Sequence, residues 1–309
     1  MKKIILLITF MIALAGCSNQ STDKVFNVSA LNGPTGIGFV NMLKENEESL
    51  NFSLAQSPDE VVAGLTKGDL DIASVPANLA SVLYNKNQDI SVLAINTLGV
   101  LYIVENGDSI NSIEDLKGKT ILSTGKGATP EYALNYILEK AGIKDDVTVE
   151  FKSEHSELAT LLAQNKASIA LLPQPFVTTV LEKNENLRVA LDLNKEWENL
   201  SGNKMITGVL VAKNSVIENN KKELDEFLKE YEKSIKLANE NVEQTAKLTA
   251  EYEILPENIG LKAIPQCNIT YINNEDMKNL LTEYYNVLFE QNPQSIGGEL
   301  PSEDFYYQN

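Results

Sequence analysis

One segment of the sequence occurs twice, ninety-seven positions apart and without a gap. Residues 65–92 and 162–189 share seven identities and one order of elements: helix end, polar turn, apolar strand, proline-bearing loop, helix and second strand. Seven identities over such a span can arise by chance, so the inference depends on the matched order of elements. A chain that builds this unit twice is expected to form two similar lobes with a cleft between them.

The alternation of short apolar runs with helical segments extends beyond the repeat. Such runs have the character of buried parallel strands, and their alternation with helices is typical of a sheet covered on both faces. We predict strands at about 25–30, 51–55, 71–75, 90–95, 119–123, 147–151, 168–172 and 187–191, with helices at 78–85, 130–140, 155–164 and 175–183. The sequence therefore predicts an α/β protein with parallel sheets.

Two β-rich segments, 96–104 and 205–213, lie before and after the second set of strands. Two extended crossings between two α/β lobes make a two-strand hinge. From Asn219 onward the chain becomes helical and charged, with apolar residues at helical spacing that are expected to face the core. These stripes are Leu224, Phe227, Leu228, Tyr231 and Ile235, then Leu280, Leu281, Tyr284, Tyr285 and Leu288.

The N-terminus has the pattern of an export signal. A basic start at Met1–Lys3 precedes the apolar stretch Ile4–Leu14, which is too short to span a bilayer. The sequence Leu-Ala-Gly-Cys that ends at Cys17 resembles the bacterial lipobox, although an ordinary signal peptide with a chance cysteine has the same start. We predict a lipoprotein signal peptide at 1–16, and a lipidated Cys17 with a polar tether at 17–24. Two or three acyl chains would hold the protein stably at a membrane.

Charge and cysteine content exclude several functions. The formal charge is −17, and removal of Lys2 and Lys3 with the leader takes it to about −19, so nucleic acid is not an expected partner. Cys267 would be the only cysteine left, which rules out an intramolecular disulfide and favours a buried packing role. The single histidine, His155, is expected to be a solvated residue in the first turn of a helix. The common catalytic motifs are absent, so no catalytic residue, cofactor or metal is predicted.

Four polar, glycine- or proline-bearing loops follow predicted strands. Open α/β sheets bind ligands at the carboxyl ends of their strands, where helix N-termini present free N–H groups. The loops are 32–38, 76–78, 123–130 and 173–175. Each one alone is also compatible with an ordinary strand-to-helix turn, which needs Gly, Pro and Asn for conformational reasons. Four corresponding loops that meet at one cleft favour a binding site.

These features resemble the extracytoplasmic substrate-binding proteins of ABC importers, in the branch that includes nitrate, taurine, alkanesulfonate and thiamine-pyrimidine binders. The resemblance is carried by the lipobox at Cys17, by Gly-Asp-Leu-Asp-Ile-Ala at 68–73, by Asp-Leu-Lys-Gly-Lys-Thr-Ile at 115–121 and by the 125–129 loop. It implies a periplasmic binding protein type II fold with C-terminal helices packed on lobe one. The implied division is 25–98 plus 207–309 for lobe one and 99–206 for lobe two, with Ser112 and Asp115 capping a short helix.

The resemblance also implies a ligand between the lobes that is delivered to a membrane permease by a monomeric protein. The implied ligand contacts are Asn32, Thr35, Gly36, Ala77 and Asn78 in lobe one, Gly125, Lys126, Ala128, Thr129 and Gln174 in lobe two, and Thr97 and Thr207 on the crossings. Pro76 and Pro173 are expected to face each other across the cleft. Because these loops hold no Asp, Glu or Arg, the expected ligand is a small anionic or neutral polar organic molecule.

Two alternatives stay open. One is an enzyme on the same fold, such as a thiamine-pyrimidine synthase or a menaquinone-pathway enzyme, although such enzymes are cytosolic and the lipobox argues against this. The other is a surface receptor that senses a ligand without transporting it.

Overall fold

The structure is a computed structural model that describes residues 25–45, 50–87 and 89–309. The predicted signal peptide at 1–16, Cys17 and the tether at 17–24 lie outside the described residues.

Eleven strands in the described ranges form two sheets. They are β1 Phe26–Leu31, β2 Leu50–Ala55, β3 Ile72–Pro76, β4 Ile90–Leu98, β5 Leu101–Asn106, β6 Thr120–Ser123, β7 Thr148–Phe151, β8 Ile169–Pro173, β9 Leu187–Asp192, β10 Ile206–Lys213 and β11 Ile269–Ile272. The first sheet has the order β11-β4-β10-β3-β1-β2, and the second has the order β7-β6-β8-β5-β9. Each sheet is the centre of one lobe.

Helices cover these sheets. They are α1 Pro34–Ile37, α2 Val40–Glu45, α3 Pro58–Lys67, α4 Ala77–Asn87, α5 Thr129–Lys140, α6 His155–Ala163, α7 Phe176–Lys183, α8 Leu193–Ser201, α9 Asn214–Asn219, α10 Lys221–Glu240, α11 Val242–Glu251, α12 Glu257–Ala263 and α13 Asn274–Gln291. Short 3₁₀ turns occur at Ile113–Leu116, Lys144–Asp146, Ile264–Gln266, Pro293–Ile296 and Glu303–Phe305. At the first of these turns the Asp115 carboxylate accepts a hydrogen bond from the Ser112 N–H, 2.9 Å away, as predicted.

The internal repeat is confirmed as a repeat of structure. β3 begins at Ile72 and β8 at Ile169, ninety-seven positions later, and each is followed by a helix and a strand. The order β2-β1-β3-β10-β4 in the first sheet matches β7-β6-β8-β5-β9 in the second. The predicted two-lobed α/β fold is therefore confirmed. Its exact lobe boundaries stay a prediction.

The prediction of parallel sheets is wrong for three strands: β11 runs antiparallel to β4 at the edge of the first sheet, and two more strands are inserted within the sheets. β10 runs antiparallel between β3 and β4, and β5 runs antiparallel between β8 and β9. The reason is that each of these strands enters its sheet directly from a crossing. Parallel strands of both sheets end at the edge near the crossings, so a strand that starts at this edge must run the opposite way.

The C-terminal helices bury the predicted apolar stripes. The α10 stripe, from Leu224 to Ile235, packs in one core with Phe26 and Val28 of β1, which places α10 on lobe one. Helix α13 also contacts the second lobe, because its Tyr284 ring lies 5.6 Å from the ring of Trp197 in α8. Cys267 is fully buried, as predicted, and burial raises the pKa of its thiol to about 12.

Candidate functional site

Three neighbouring parallel strands of lobe two end at one edge of the sheet. β6 pairs in parallel with β7 and with β8. The residues that follow these strands therefore come together, although they are far apart in sequence: Thr124 after β6, His155 after β7 and Gln174 after β8. This edge is where an open α/β sheet presents its binding crevice.

A polar pair, buried Thr124 and half-buried His155, lies at this edge. The Nδ1 atom of His155 lies 2.6 Å from the Thr124 Oγ1 atom, and the imidazole packs against the Phe176 ring with centroids 4.9 Å apart. Burial lowers the pKa of His155 to about 4, so the ring is neutral at pH 7 and has one N–H donor and one acceptor. His155 opens α6, as predicted, but it is half-buried and not fully solvated, because the neighbouring Phe176 and Thr124 partly cover it.

The loop between β6 and α5 offers backbone donors beside this pair. Within the described ranges, no acceptor pairs with the N–H of Gly125, Lys126 or Thr129, whereas the Gly127 N–H donates to the Glu131 carboxylate over 2.6 Å. Gly125 has φ 71°, and a Cβ atom there would lie 2.9 Å from Pro130 Cγ, so glycine is required for this turn. The loop can hold an anion against the N-terminus of α5, a twelve-residue helix.

The remaining predicted residues of lobe two have different surroundings. Lys126 is exposed, Ala128 is half-buried, and Thr129 is buried with its Oγ1 atom 3.3 Å from the Tyr284 hydroxyl. Gln174 is buried, and its Oε1 atom accepts hydrogen bonds from the N–H and the hydroxyl of Thr178. Its Nε2 group donates to no other described residue and stays available.

The predicted contacts in the first loop of lobe one also make contacts within that lobe. Asn32 is exposed, and its N–H donates to the Ala55 carbonyl. Thr35 is buried and donates its hydroxyl to the Leu31 carbonyl, 3.2 Å away. A Cβ atom on Gly36 would lie 2.9 Å from the same Leu31 oxygen, so this glycine lets α1 pack closely on β1. The hydrogen bonds of Asn32 and Thr35 stay within lobe one.

Thr97 and Thr207, the predicted ligand contacts on the crossings, hydrogen-bond to residues of the crossings and would form the floor of the cleft. Thr97 is buried, with its hydroxyl 3.3 Å from Asn96 Oδ1, and Thr207 donates to the Leu98 carbonyl over 2.6 Å. The Thr207 bond joins β10 to β4 where their register is irregular, whereas the Thr97 bond stays within β4. A hydroxyl that donates to the protein can still accept from a ligand, so both residues are compatible with a cleft floor.

Asn78 joins the two lobes. It lies in the first turn of α4, and its Nδ2 atom donates to the Gly127 carbonyl of the lobe-two loop over 3.3 Å. The carbonyl of its neighbour Ala77 accepts a hydrogen bond from the Tyr285 hydroxyl. The structure thus brings Asn78 together with the 125–129 loop, as the sequence predicted. Pro76 and Pro173 end β3 and β8, and their apposition across the cleft stays a prediction.

A depression of about 640 Å³ elsewhere on lobe two does not belong to this site. It is lined by residues at the starts of β6 and β8, including Thr120 and Ile169, and so lies at the opposite edge of the sheet. Its Glu105 carboxylate pairs with Arg188 at 2.8 Å and accepts from the Ser109 and Ile110 N–H groups. This carboxylate holds the 107–110 turn in place.

Sequence reasoning missed Thr124, His155 and Glu131 as site residues. Thr124 lies within the predicted loop 123–130, directly after a predicted strand, but it was not among the predicted contact residues. His155 could not be placed, because its role depends on β7 lying beside β6, and strand order is not visible in one sequence. Glu131 is in the first turn of α5, where an acidic residue is ordinarily only a favourable helix start.

Two α/β lobes with polar loops converging between them define a solute-binding protein. A family described as "ABC transporter, phosphonate, periplasmic substrate-binding protein" matches residues 39–254. The chain therefore belongs to this family of substrate-binding components of ABC transporters, and the predicted function of this kind is confirmed.

Solved structures agree with this fold. An ABC transporter protein from Parabacteroides distasonis is 25% identical, with a TM-score of 0.79 over 93% of this chain and 99% of that chain. The periplasmic aliphatic sulphonate binding protein SsuA from Escherichia coli is 17% identical, with a TM-score of 0.74 over 92% of each chain. The alkanesulfonate-binding protein SsuA from Xanthomonas axonopodis pv. citri, bound to MOPS, is 12% identical, with a TM-score of 0.68 over 89% and 94%. No curated protein sequence matches the chain.

The N-terminus is also matched. Residues 1–18 match the prokaryotic membrane lipoprotein lipid attachment site, which confirms the predicted lipobox at Cys17. The protein is lipid-anchored at the extracytoplasmic face of the membrane. Among the residues that the structure describes, no helix is both long and apolar enough to cross a membrane.

Proposed function

We propose that this protein captures a small organic oxyanion, a phosphonate or a sulfonate, between its lobes and delivers it to an ABC permease. The observation that carries this proposal is the Thr124–His155 pair beside the unpaired N–H groups of the 125–129 loop. The family description names phosphonate, and two of the similar structures are sulfonate-binding proteins.

The chemistry of these groups suits a tetrahedral oxyanion head. Three oxygens spread in space need several donors. The Thr124–His155 pair keeps one free donor after its own hydrogen bond, the Thr124 hydroxyl or the His155 Nε2–H according to the tautomer, and the backbone N–H groups provide the others. The N-terminus of α5 adds a positive partial charge. Lys126 is the cation of this loop and can approach a bound anion from the exposed side.

Binding would be coupled to closure of the lobes. Asn78 and the 125–129 loop already meet across the cleft, so a ligand held by both would favour the closed state over an open one. Within this proposal lobe one is 25–98 plus 207–309 and lobe two is 99–206. The ligand contacts include the twelve residues predicted from the sequence. The protein acts as a monomer without enzymatic activity. Recovery of unchanged phosphonate after incubation with the protein, followed by ³¹P NMR, would test whether the protein lacks enzymatic activity.

Titration calorimetry with methylphosphonate, ethanesulfonate, phosphate and nitrate tests the proposal. We expect one of the first two to bind, and Thr124→Ala to weaken that binding by about tenfold or more, since a hydrogen bond to a charged group is lost. Thr160→Ala is the matched control, because Thr160 is an exposed threonine of α6 whose hydroxyl donates to the Ser156 carbonyl. Absence of binding by every oxyanion, or equal loss in both variants, would contradict the proposal.

A further inference from the structure

The sequence contains two Asn-Gly pairs, which lie in different surroundings. They are Asn32–Gly33, in the loop between β1 and α1, and Asn106–Gly107, at the end of β5. Asparagine is a thermolabile residue, and a following glycine has no Cβ atom to keep its backbone nitrogen away from the asparagine carboxamide. Each pair therefore has the sequence for an intramolecular reaction, and the fold decides which one reacts.

The carboxamide of Asn32 is free to move. The residue is exposed, its side chain forms no hydrogen bond with a described residue, and its N–H donates to the Ala55 carbonyl. The Gly33 N–H donates to no described residue either, so its nitrogen is available. Gly33 has φ 142° and ψ −149°, a conformation essentially restricted to glycine, and a Cβ atom built on it would meet no atom within 4 Å. The turn into α1 thus requires the glycine that leaves Asn32 unshielded.

The carboxamide of Asn106 is held in place. Its Nδ2 atom donates to Asn165 Oδ1 over 2.6 Å. Its backbone N–H donates to the Ser168 carbonyl over 2.7 Å, and the residue pairs with Leu187 of β9. Attack by the Gly107 nitrogen would require this side chain to leave its partner and the strand to distort. The second pair is therefore protected by the fold.

We propose that Asn32–Gly33 is a site of spontaneous modification in the folded protein, at which the asparagine becomes aspartate or isoaspartate. The Gly33 nitrogen loses its proton and bonds to Asn32 Cγ, while the Cγ–Nδ2 bond breaks and ammonia leaves. Water then opens the resulting succinimide ring at either carbonyl, which gives the aspartyl or the isoaspartyl product. Water is consumed and ammonia released in equal amounts, so the reaction needs no oxidant, reductant or enzyme. The product adds a negative charge to the first loop of lobe one.

Peptide mass spectrometry of the native protein tests the proposal, after incubation at mildly alkaline pH and with separation of aspartyl from isoaspartyl products. Both pairs are measured in one sample. We expect Asn32 to be converted at least about fivefold faster than Asn106, since Asn106 must first give up a hydrogen bond. In concentrated urea, where the fold is lost, the two rates should converge. Equal rates in the folded protein, faster conversion of Asn106 or an unmodified Asn32 would overturn the proposal.

Two variants test the physical reason for this selectivity. Asn165→Gly removes the acceptor that holds Asn106, and glycine tolerates the φ of 54° at this position. Conversion of Asn106 should then become about fivefold faster, while that of Asn32 stays the same. Asn32→Gln should abolish the reaction at its position, because glutamine would have to close a larger ring. An unchanged rate at Asn106 in Asn165→Gly would overturn the proposed selectivity, and if this variant does not fold, the two rates in the native protein still decide.

The effect of the new charge on binding rests on the proposed function, in which Asn32 is a ligand contact. Asn32→Asp and Asn106→Asp carry the product charge at the two places, and Asn106 lines the depression at the opposite edge of lobe two. Calorimetry with the phosphonate or sulfonate that binds the native protein should show about fivefold weaker binding to Asn32→Asp only. Equal affinities would overturn this effect. If no oxyanion binds the native protein, the proposed function fails, and the peptide measurements still decide whether Asn32 is modified.

Discussion

Acidification should destabilise this protein through its single histidine. Burial lowers the pKa of His155 to about 4 in the folded state, from an ordinary value of 6.5 that the unfolded chain regains. Between these two values the unfolded state binds a proton that the folded state excludes, so the free energy of unfolding falls as pH falls. Above pH 6.5 the side chain is neutral in both states, and its contribution no longer changes.

The two pKa values set the size of the effect. At pH 4.5 the proton bound by the unfolded chain lowers the free energy of unfolding by about 2–3 kcal/mol. Below pH 4 both states are protonated, and the penalty levels off at about 3 kcal/mol. Since a domain is typically stable by only about 5–15 kcal/mol, this is a large fraction of the total.

His155→Gln isolates this contribution, because glutamine keeps a polar amide near Thr124 and does not titrate. Urea unfolding at pH 7.5 and pH 4.5, followed by the fluorescence of Trp197, the single tryptophan, gives both free energies. The native protein should lose about 2–3 kcal/mol more than the variant between these pH values. Carboxylates titrate in both proteins and cancel in the comparison.

Two results would refute this reasoning. The first is an equal loss of stability in the native protein and in His155→Gln. The second is a titration of the histidine C2–H resonance in ¹H NMR with a midpoint near 6.5 in the folded protein.

Three further predictions follow from single residues. Glu131→Gln should strengthen binding of a phosphonate dianion by about fivefold in calorimetry, because it removes a like charge beside the proposed site. Glu139→Gln, at an exposed position in the same helix, should leave the affinity unchanged, and equal affinities for the two variants would contradict this prediction. Gly142→Ala, at φ 69°, should lower the free energy of unfolding by about 1 kcal/mol. Gly125→Ala, at φ 71°, should lower it by more and also weaken ligand binding, because its Cβ atom would meet Pro130. Cys17→Ser should move the protein from the membrane fraction to the released fraction, and unchanged retention would contradict lipid anchoring.

The fold could be predicted closely because its signals are local. β3 and β8 are short apolar runs with a proline at the end, and the repeat places them in equivalent positions whatever their neighbours are. The antiparallel insertion of β5 and β10 could not be predicted in this way. Their direction is set by where the crossings enter the sheets, a property of the assembled lobes.

The candidate site could likewise be predicted where its residues are adjacent in sequence, but not where they meet only after folding. The 125–129 loop was recognised because its glycines and hydroxyls are adjacent in sequence. His155 was misjudged, since its pairing with Thr124 requires two strands to lie side by side after folding. Asn78 was recognised through the repeat, but its unpaired oxygen exists only where both lobes and the Ser295 segment meet.

The mismatch that follows the repeated prolines gives the two lobes complementary chemistry. Two residues after Pro76 comes Asn78, whose amide nitrogen donates to two carbonyls of the protein and whose oxygen accepts from no described residue. After Pro173 comes Gln174, whose oxygen is used by Thr178 and whose nitrogen donates to no other described residue. One lobe thus offers an acceptor and the other a donor at equivalent ends of equivalent strands. Under the proposed function, a ligand held by Gln174 Nε2 and by a group of lobe one together would favour the closed state, because only closure brings both lobes to the ligand.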